Sequence, residues 1–176
     1  MESQRIKLLE ELRIIYPIRG QAEETWFIRG QEIPKDLHSG GVSEEEISAA
    51  LGFLCHSIVM ISKYLSIALR YRIVCNSSRS AVQEDATTML PLFQARMVER
   101  DALDRAMILL ERNVVCILKM RRISYSEDSH ILCKVLNRIT TVQYCRRQTA
   151  SRIAAANTIP SNELDQYCIV TQLEFL

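Results

Sequence analysis

The sequence predicts an α+β fold in which a small β-sheet and a long α-helix form a unit that is repeated. The units pack into one globular domain behind a short N-terminal coiled-coil stub. Two observations lead to this prediction: β-prone runs alternate with long helical stripes, and the two long helices begin about fifty residues apart, as in structural repeats. The chain divides accordingly into residues 1–13, 14–145 and 146–176.

The composition is that of a soluble chain of about one domain. Of the 176 residues, 48% are apolar and 24% are charged, which is enough for a core without a metal or disulfide staple. The formal net charge of +1 gives no global field that would attract nucleic acid. The first twenty residues lack the apolar region of a secretory signal, and the six cysteines form no CxxC pair, so reduced thiols in a cytosolic protein are expected.

Residues 3–13 have the pattern of an amphipathic helix of about three turns. Ile6, Leu9 and Leu12 recur at three-residue steps, with charged residues between them. So short a helix needs a partner to be stable. It is therefore either the end of a coiled coil or a helix that docks on its own domain.

A small sheet or hairpin is predicted between residues 14 and 33. Pro17 ends the helix, and the following β-prone runs are separated by a turn at Arg29 and Gly30. Trp26 and Phe27, beside that turn, suggest with Arg29 an aromatic tip that enters a membrane interface or a partner pocket. The alternative is a hairpin that anchors its own core.

A long apolar helix is predicted to begin after Ser43. Ser43 and Glu46 have the spacing of a capping box, in which each side chain bonds the other residue's backbone N–H. The apolar positions up to Leu65 cover most of the circumference, so this helix is expected in the interior. Gly52 is expected to permit close helix packing, and His56 to be a hydrogen-bonded core or partly buried histidine.

The second predicted unit repeats this order. Residues 69–75 alternate between apolar and polar, the period of a half-buried strand, and include the scaffold candidates Arg70 and Tyr71. Weaker strand signals follow at 79–83 and 90–94. A helix is then predicted over residues 97–122, with an apolar stripe at three- and four-residue spacing.

Beyond this unit, a third helix is predicted over residues 129–144. The segment 146–176 is first polar and then strand-like in its last ten residues, which are a candidate closing strand.

No catalytic or cofactor motif is visible in the sequence. There is no nucleophile beside a base, no phosphate-binding loop and no zinc ligand pair; His130 and Cys133 are at most half of a metal site. We therefore expect no metal, no cofactor and no enzyme activity. Arg70, Arg72 and Arg79 cluster in sequence, where they suit either an acidic partner or, more ordinarily, a solvated sheet face.

Several segments carry a family likeness. The runs 48–53, 60–62, 69–73 and 78–80, together with the passage from helix to sheet at 9–18, resemble the C-terminal domain of the UV radiation resistance-associated protein family. The resemblance covers about residues 5 to 122.

This resemblance implies a function. Members of the family are non-catalytic adaptor subunits of the endosomal class III phosphatidylinositol 3-kinase complex, acting in autophagy and endosomal trafficking. The implied partners are a Beclin-type protein, the lipid kinase catalytic subunit and its regulatory kinase subunit, with weak membrane contact and no nucleic acid. The implied location is the cytoplasm at the periphery of endosomes and late endosomes. Ile6, Leu9 and Leu12 are then expected at the Beclin interface, and an aromatic hairpin tip on a membrane is the alternative.

Overall fold

The computed structural model describes residues 2–21, 25–34, 36–38, 40–95 and 98–123. Within these ranges the chain forms three α-helices and two small antiparallel sheets, which confirms the predicted α+β class. Each sheet has three strands and is followed by a long helix. The identification of these two units as copies of one repeat, and of the first helix as a coiled-coil stub, stays a prediction.

The elements follow the chain in a simple order. The first helix and first sheet are α1 (Glu2–Ile15), β1 (Ile18–Gln21), β2 (Thr25–Ile28) and β3 (Gln31–Ile33). The rest are α2 (Glu44–Leu65), β4 (Ile73–Val74), a 3-10 turn (Ser77–Arg79), β5 (Ala81–Gln83), β6 (Met89–Pro91) and α3 (Arg100–Met120). In both sheets, strands adjacent in sequence are neighbours.

The helix α2 is the centre of the fold and contacts α1, the first sheet, the 3-10 turn and α3. Its start is the predicted capping box: Ser43 Oγ accepts the Glu46 N–H, and the Glu46 carboxylate accepts from the Ser43 N–H. By length and composition α2 is apolar enough to cross a membrane, but more than half of that stretch is buried within the fold. It packs as the core helix of a globular domain.

The helix α1 docks on α2 and is three residues longer than predicted, one at its start and two at its end. Leu9 and Leu12 are buried in the main core, Ile6 is half-buried against it, and Arg5 donates to the Ser66 hydroxyl beyond the end of α2. The helix ends at Ile15 because the residue that precedes a proline disfavours helical geometry. Leu9 and Leu12 thus contact the chain's own core, and their expected partner contact would require α1 to leave it.

The second sheet is shorter than predicted. Strand β4 contains Ile73 and Val74, which pair with β5. The exposure of residues 69–74 nevertheless alternates as expected. The Arg72 carbonyl also accepts a hydrogen bond from the Gln83 N–H. The predicted strand at 79–83 is correct only from Ala81, because the preceding residues form the 3-10 turn.

Gly52 lies where α2 meets this 3-10 turn. A Cβ at this position would lie 2.2 Å from the Ser77 carbonyl oxygen. The close approach expected at Gly52 is therefore to a turn and not to a second helix. Only a residue without a side chain allows the turn to rest on α2 at this distance.

Asn113 joins α3 to the segment before β4. It is 0% exposed; its Oδ1 accepts from the Tyr71 N–H at 2.9 Å and its Nδ2 donates to the Tyr71 carbonyl at 2.8 Å. Tyr71 is half-buried, and the Arg70 guanidinium lies 5.5 Å from the centre of its ring. These contacts give Arg70 and Tyr71 a place in the scaffold.

Three predictions lie outside the described residues. They are the third helix at 129–144, the half-site of His130 and Cys133, and the closing strand in the last ten residues.

Candidate functional site

The end of α1 presents two large apolar side chains to solvent. Ile14 is 77% exposed and Ile15 is 53% exposed, whereas Leu9 on the opposite side of the helix is 1% exposed. Successive helix positions are about 100° apart, so a helix that buries Leu9 and Leu12 turns Ile14 outward. Because the two side chains are adjacent, they form a small apolar patch that is open to contact with another molecule.

A cluster of stacked side chains begins at Tyr16, the next residue in the chain. The Arg29 guanidinium lies 5.0 Å from the Phe53 ring centre and 5.9 Å from that of Tyr16. The two rings are 6.1 Å apart, and a hydrogen bond of 2.6 Å joins the Tyr16 hydroxyl to His56 Nδ1. We call Ile14, Ile15, Tyr16, Arg29 and Phe53 the α1-end surface.

Three elements build this surface. Tyr16 follows α1 directly, Phe53 lies on α2, and Arg29 lies in the turn between β2 and β3. The turn is held against the start of β1 because the Arg29 N–H donates to the Pro17 carbonyl at 3.0 Å. The rings and the guanidinium are therefore fixed relative to one another before any partner arrives.

The turn itself is strained at Arg29. Arg29 has φ of +53° and Gly30 has φ of +81°, the pair of positive angles that a two-residue hairpin turn requires. Asn or Gly is preferred at the first of these positions, and a residue such as Arg there costs about 1 kcal/mol or more. Stacking on two rings offsets part of that cost, by about 0.5–1 kcal/mol at an exposed site.

At Trp26 and Phe27 the geometry favours the alternative of a hairpin that anchors its own core. Neighbouring residues of a strand point to opposite faces. Trp26 packs towards the core over Gly20, while Phe27 lies on the other face, paired with Arg19 and Glu32. The Trp26 indole N–H is buried without a partner among the described residues, so it is not offered to a membrane surface.

His56 is not a core residue. It is exposed on α2 and supports Tyr16 through the hydrogen bond described above. The expectation that it is hydrogen-bonded holds; the expected burial does not, because the side chain lies on the same side of α2 as the half-buried Phe53 and not among the buried apolar positions.

The described part of the chain offers little reactive chemistry. No group of three or more metal-ligating side chains occurs there. Cys55 is buried and Cys75 is exposed, and burial raises the pKa of the Cys55 thiol far above its ordinary value. A thiol that keeps its proton is not a nucleophile.

The arrangement at the α1-end surface suits binding of another molecule by apolar contact and by the Arg29 charge.

The sequence did not identify Ile14 as an exposed residue of the site, and it did not predict that Phe53 stacks on Arg29. An isoleucine pair at the end of an amphipathic helix is the one available signal, since the two cannot both face inward. The stacking joins residues 24 positions apart in sequence, and no local pattern reports such a distance.

Comparison with known proteins gives consistent results. The family described as "Vacuolar sorting 38 and autophagy-related subunit 14" matches residues 1–97. The chain is 30% identical over 115 residues to the UV radiation resistance-associated protein of Mus musculus, a match that covers 61% of this chain and 16% of that protein. It is 34% identical over 86 residues to the vacuolar protein sorting-associated protein 38 of Schizosaccharomyces pombe, covering 47% of this chain and 18% of that protein. The matched region is less than a fifth of either relative.

Proposed function

Because the chain belongs to the vacuolar sorting 38 and autophagy-related subunit 14 family, we propose that it is a non-catalytic subunit of a class III phosphatidylinositol 3-kinase complex. In this role it acts in autophagy and in endosomal or vacuolar sorting, at the cytoplasmic periphery of endosomes. Its partners are a Beclin-type protein, the lipid kinase catalytic subunit and the regulatory kinase subunit. It contributes binding surfaces to the complex and carries out no reaction.

The observation that most favours this proposal, beside the family, is the exposed end of α1. A helix whose inner side is already buried still offers Ile14 and Ile15 to a neighbour. Tyr16, the next residue in the chain, carries the stacked Arg29, and aromatic residues with Arg are the types enriched at protein interfaces. We place the Beclin contact here, on the side of α1 away from Leu9 and Leu12.

The alternative function, a membrane-binding module with an aromatic tip, is less well supported. Trp26 and Phe27 lie on opposite faces of the first sheet, so they cannot enter a bilayer together. Any membrane contact of this chain would then be weak or indirect, through the rest of the complex.

Substitution of an exposed isoleucine tests the proposal without disturbing the core. We expect Ile15→Glu to weaken co-purification of the chain with a co-expressed Beclin-type protein and lipid kinase by about tenfold, because a charge would replace a desolvated apolar contact. The wild-type chain is expected to co-purify with both. The readout is the amount of each partner retained by affinity-tagged chain.

The matched control is Ile108→Glu on α3, where the native side chain is 49% exposed. It makes the same change at the same degree of exposure, and we expect no loss of partner. Equal retention by both variants, or no retention by the wild-type chain, would contradict the proposal. Leu9 and Leu12 are unsuitable probes because a charge there would unfold α1 from the core.

A further inference from the structure

Among the described residues, the guanidinium of Arg29 has ring contacts but no acidic partner. Its contacts are the faces of Tyr16 and Phe53, and in the part of the chain that the structure describes no carboxylate pairs with it. By contrast, the exposed Arg105 bonds the Glu84 carboxylate. Arg29 is therefore an oriented cation whose donor N–H groups remain available.

The backbone shows that this arginine is not an ordinary turn residue. Its φ of +53° is one that Asn or Gly adopts more readily, and the turn would form better with either. Asn or Gly would remove this backbone strain, so the presence of Arg suggests that its side chain has a function. The two rings and the Tyr16–His56 hydrogen bond hold that side chain in one orientation.

We propose that Arg29 receives a carboxylate of a partner protein, so that the α1-end surface combines an apolar contact with one oriented ion pair. The guanidinium is planar and presents its N–H groups as a fork that matches the two oxygens of Asp or Glu. Stacking fixes its plane before binding, which lowers the entropy lost on pairing. This inference rests on the proposed function, since the partner is a subunit of the same complex.

A protein carboxylate fits this site better than a membrane surface does. Binding to anionic lipid relies on several cations that act together. Here the chain's net charge is +1, and the side chains stacked with Arg29 are the uncharged rings of Tyr16 and Phe53. One oriented cation in an apolar surrounding is the arrangement found at the centre of protein interfaces.

The direct test is Arg29→Asn, which removes the charge and gives the turn a residue that it prefers. We expect the chain to bind a purified Beclin-type partner about tenfold more weakly, as for loss of a charge-assisted pair. We also expect its thermal midpoint to stay within about 3 °C of the wild type, because strain relief offsets the lost stacking. Arg122→Asn is the matched control: Arg122 is exposed and also has φ of +53°, so it makes the same change in the same backbone conformation, and it is expected to leave affinity unchanged.

A second variant identifies the partner group. Arg29→Lys keeps the charge and supplies an amine, which a carbodiimide joins to a neighbouring carboxylate. Mass spectrometry is expected to find a cross-link between position 29 and an Asp or Glu of the partner.

The outcomes separate this inference from the proposed function. Suppose that the wild-type chain binds the partner, that Arg29→Asn binds equally well, and that Arg29→Lys gives no cross-link. The carboxylate contact is then overturned while the complex stands. If the wild-type chain does not bind, both are overturned. If Arg29→Asn retains the partner but loses flotation with phosphatidylserine-containing vesicles, the ligand is a membrane and the inference is overturned.

Discussion

Gly52→Ala is expected to destabilise the chain, the reverse of what this change does on an exposed helix surface. Ala is normally favoured over Gly within a helix by about 1 kcal/mol. Here the added Cβ would lie 2.2 Å from the Ser77 carbonyl oxygen and 2.7 Å from its carbon, and both are backbone atoms that no rotamer change can move. Overpacking of this kind costs about 1–3 kcal/mol or more, so we expect a net loss of about 2 kcal/mol. Thermal unfolding followed by circular dichroism measures it.

Gly41→Ala is the control for this prediction. Gly41 has open space around its Cα and no positive φ, so its substitution is expected to change the free energy of unfolding by no more than about 0.5 kcal/mol. A rise in the midpoint for Gly52→Ala would show that α2 and the 3-10 turn are not in contact.

Asn113→Leu is expected to have the largest effect of the substitutions considered. The new side chain has a similar volume, but both backbone groups of Tyr71 would lose their partner. Each buried polar group left without a hydrogen bond costs about 1–3 kcal/mol, so we expect a loss of about 2–4 kcal/mol in the free energy of unfolding. Denaturant unfolding is the measurement, with unchanged slope as evidence that the transition remains two-state.

The neighbouring Arg112 supplies the comparison. Arg112 is exposed, and among the described residues its side chain makes one long hydrogen bond, of 3.3 Å to the Tyr71 hydroxyl. Arg112→Leu is therefore expected to cost no more than about 0.5 kcal/mol. Similar small losses for both variants would mean that Asn113 does not hold α3 to the segment before β4.

The parts of the fold that the sequence predicts best are those set by neighbours in the chain. The capping box at Ser43 and Glu46 and the apolar stripe of α2 follow from residues within a few positions of each other. The turn at Arg29 and Gly30 was predicted for the same reason. Such features depend on local geometry alone.

The features that were missed depend on contacts between distant residues. The 3-10 turn replaces the start of a predicted strand because its backbone rests on Gly52, 25 positions earlier. Asn113 holds a segment 42 residues before it. Trp26 packs across the sheet against Gly20, where the absence of a side chain makes room for the indole.

The most direct test of the account is hydrogen exchange of the chain alone and in complex with the Beclin-type partner. We expect the partner to slow exchange in peptides that cover residues 10–16 and 27–31, which contain the α1-end surface, and to leave residues 104–112 on α3 unchanged. Protection of the α3 segment without protection at the end of α1, or no protection anywhere on binding, would contradict the proposal that this chain joins the complex through the α1-end surface.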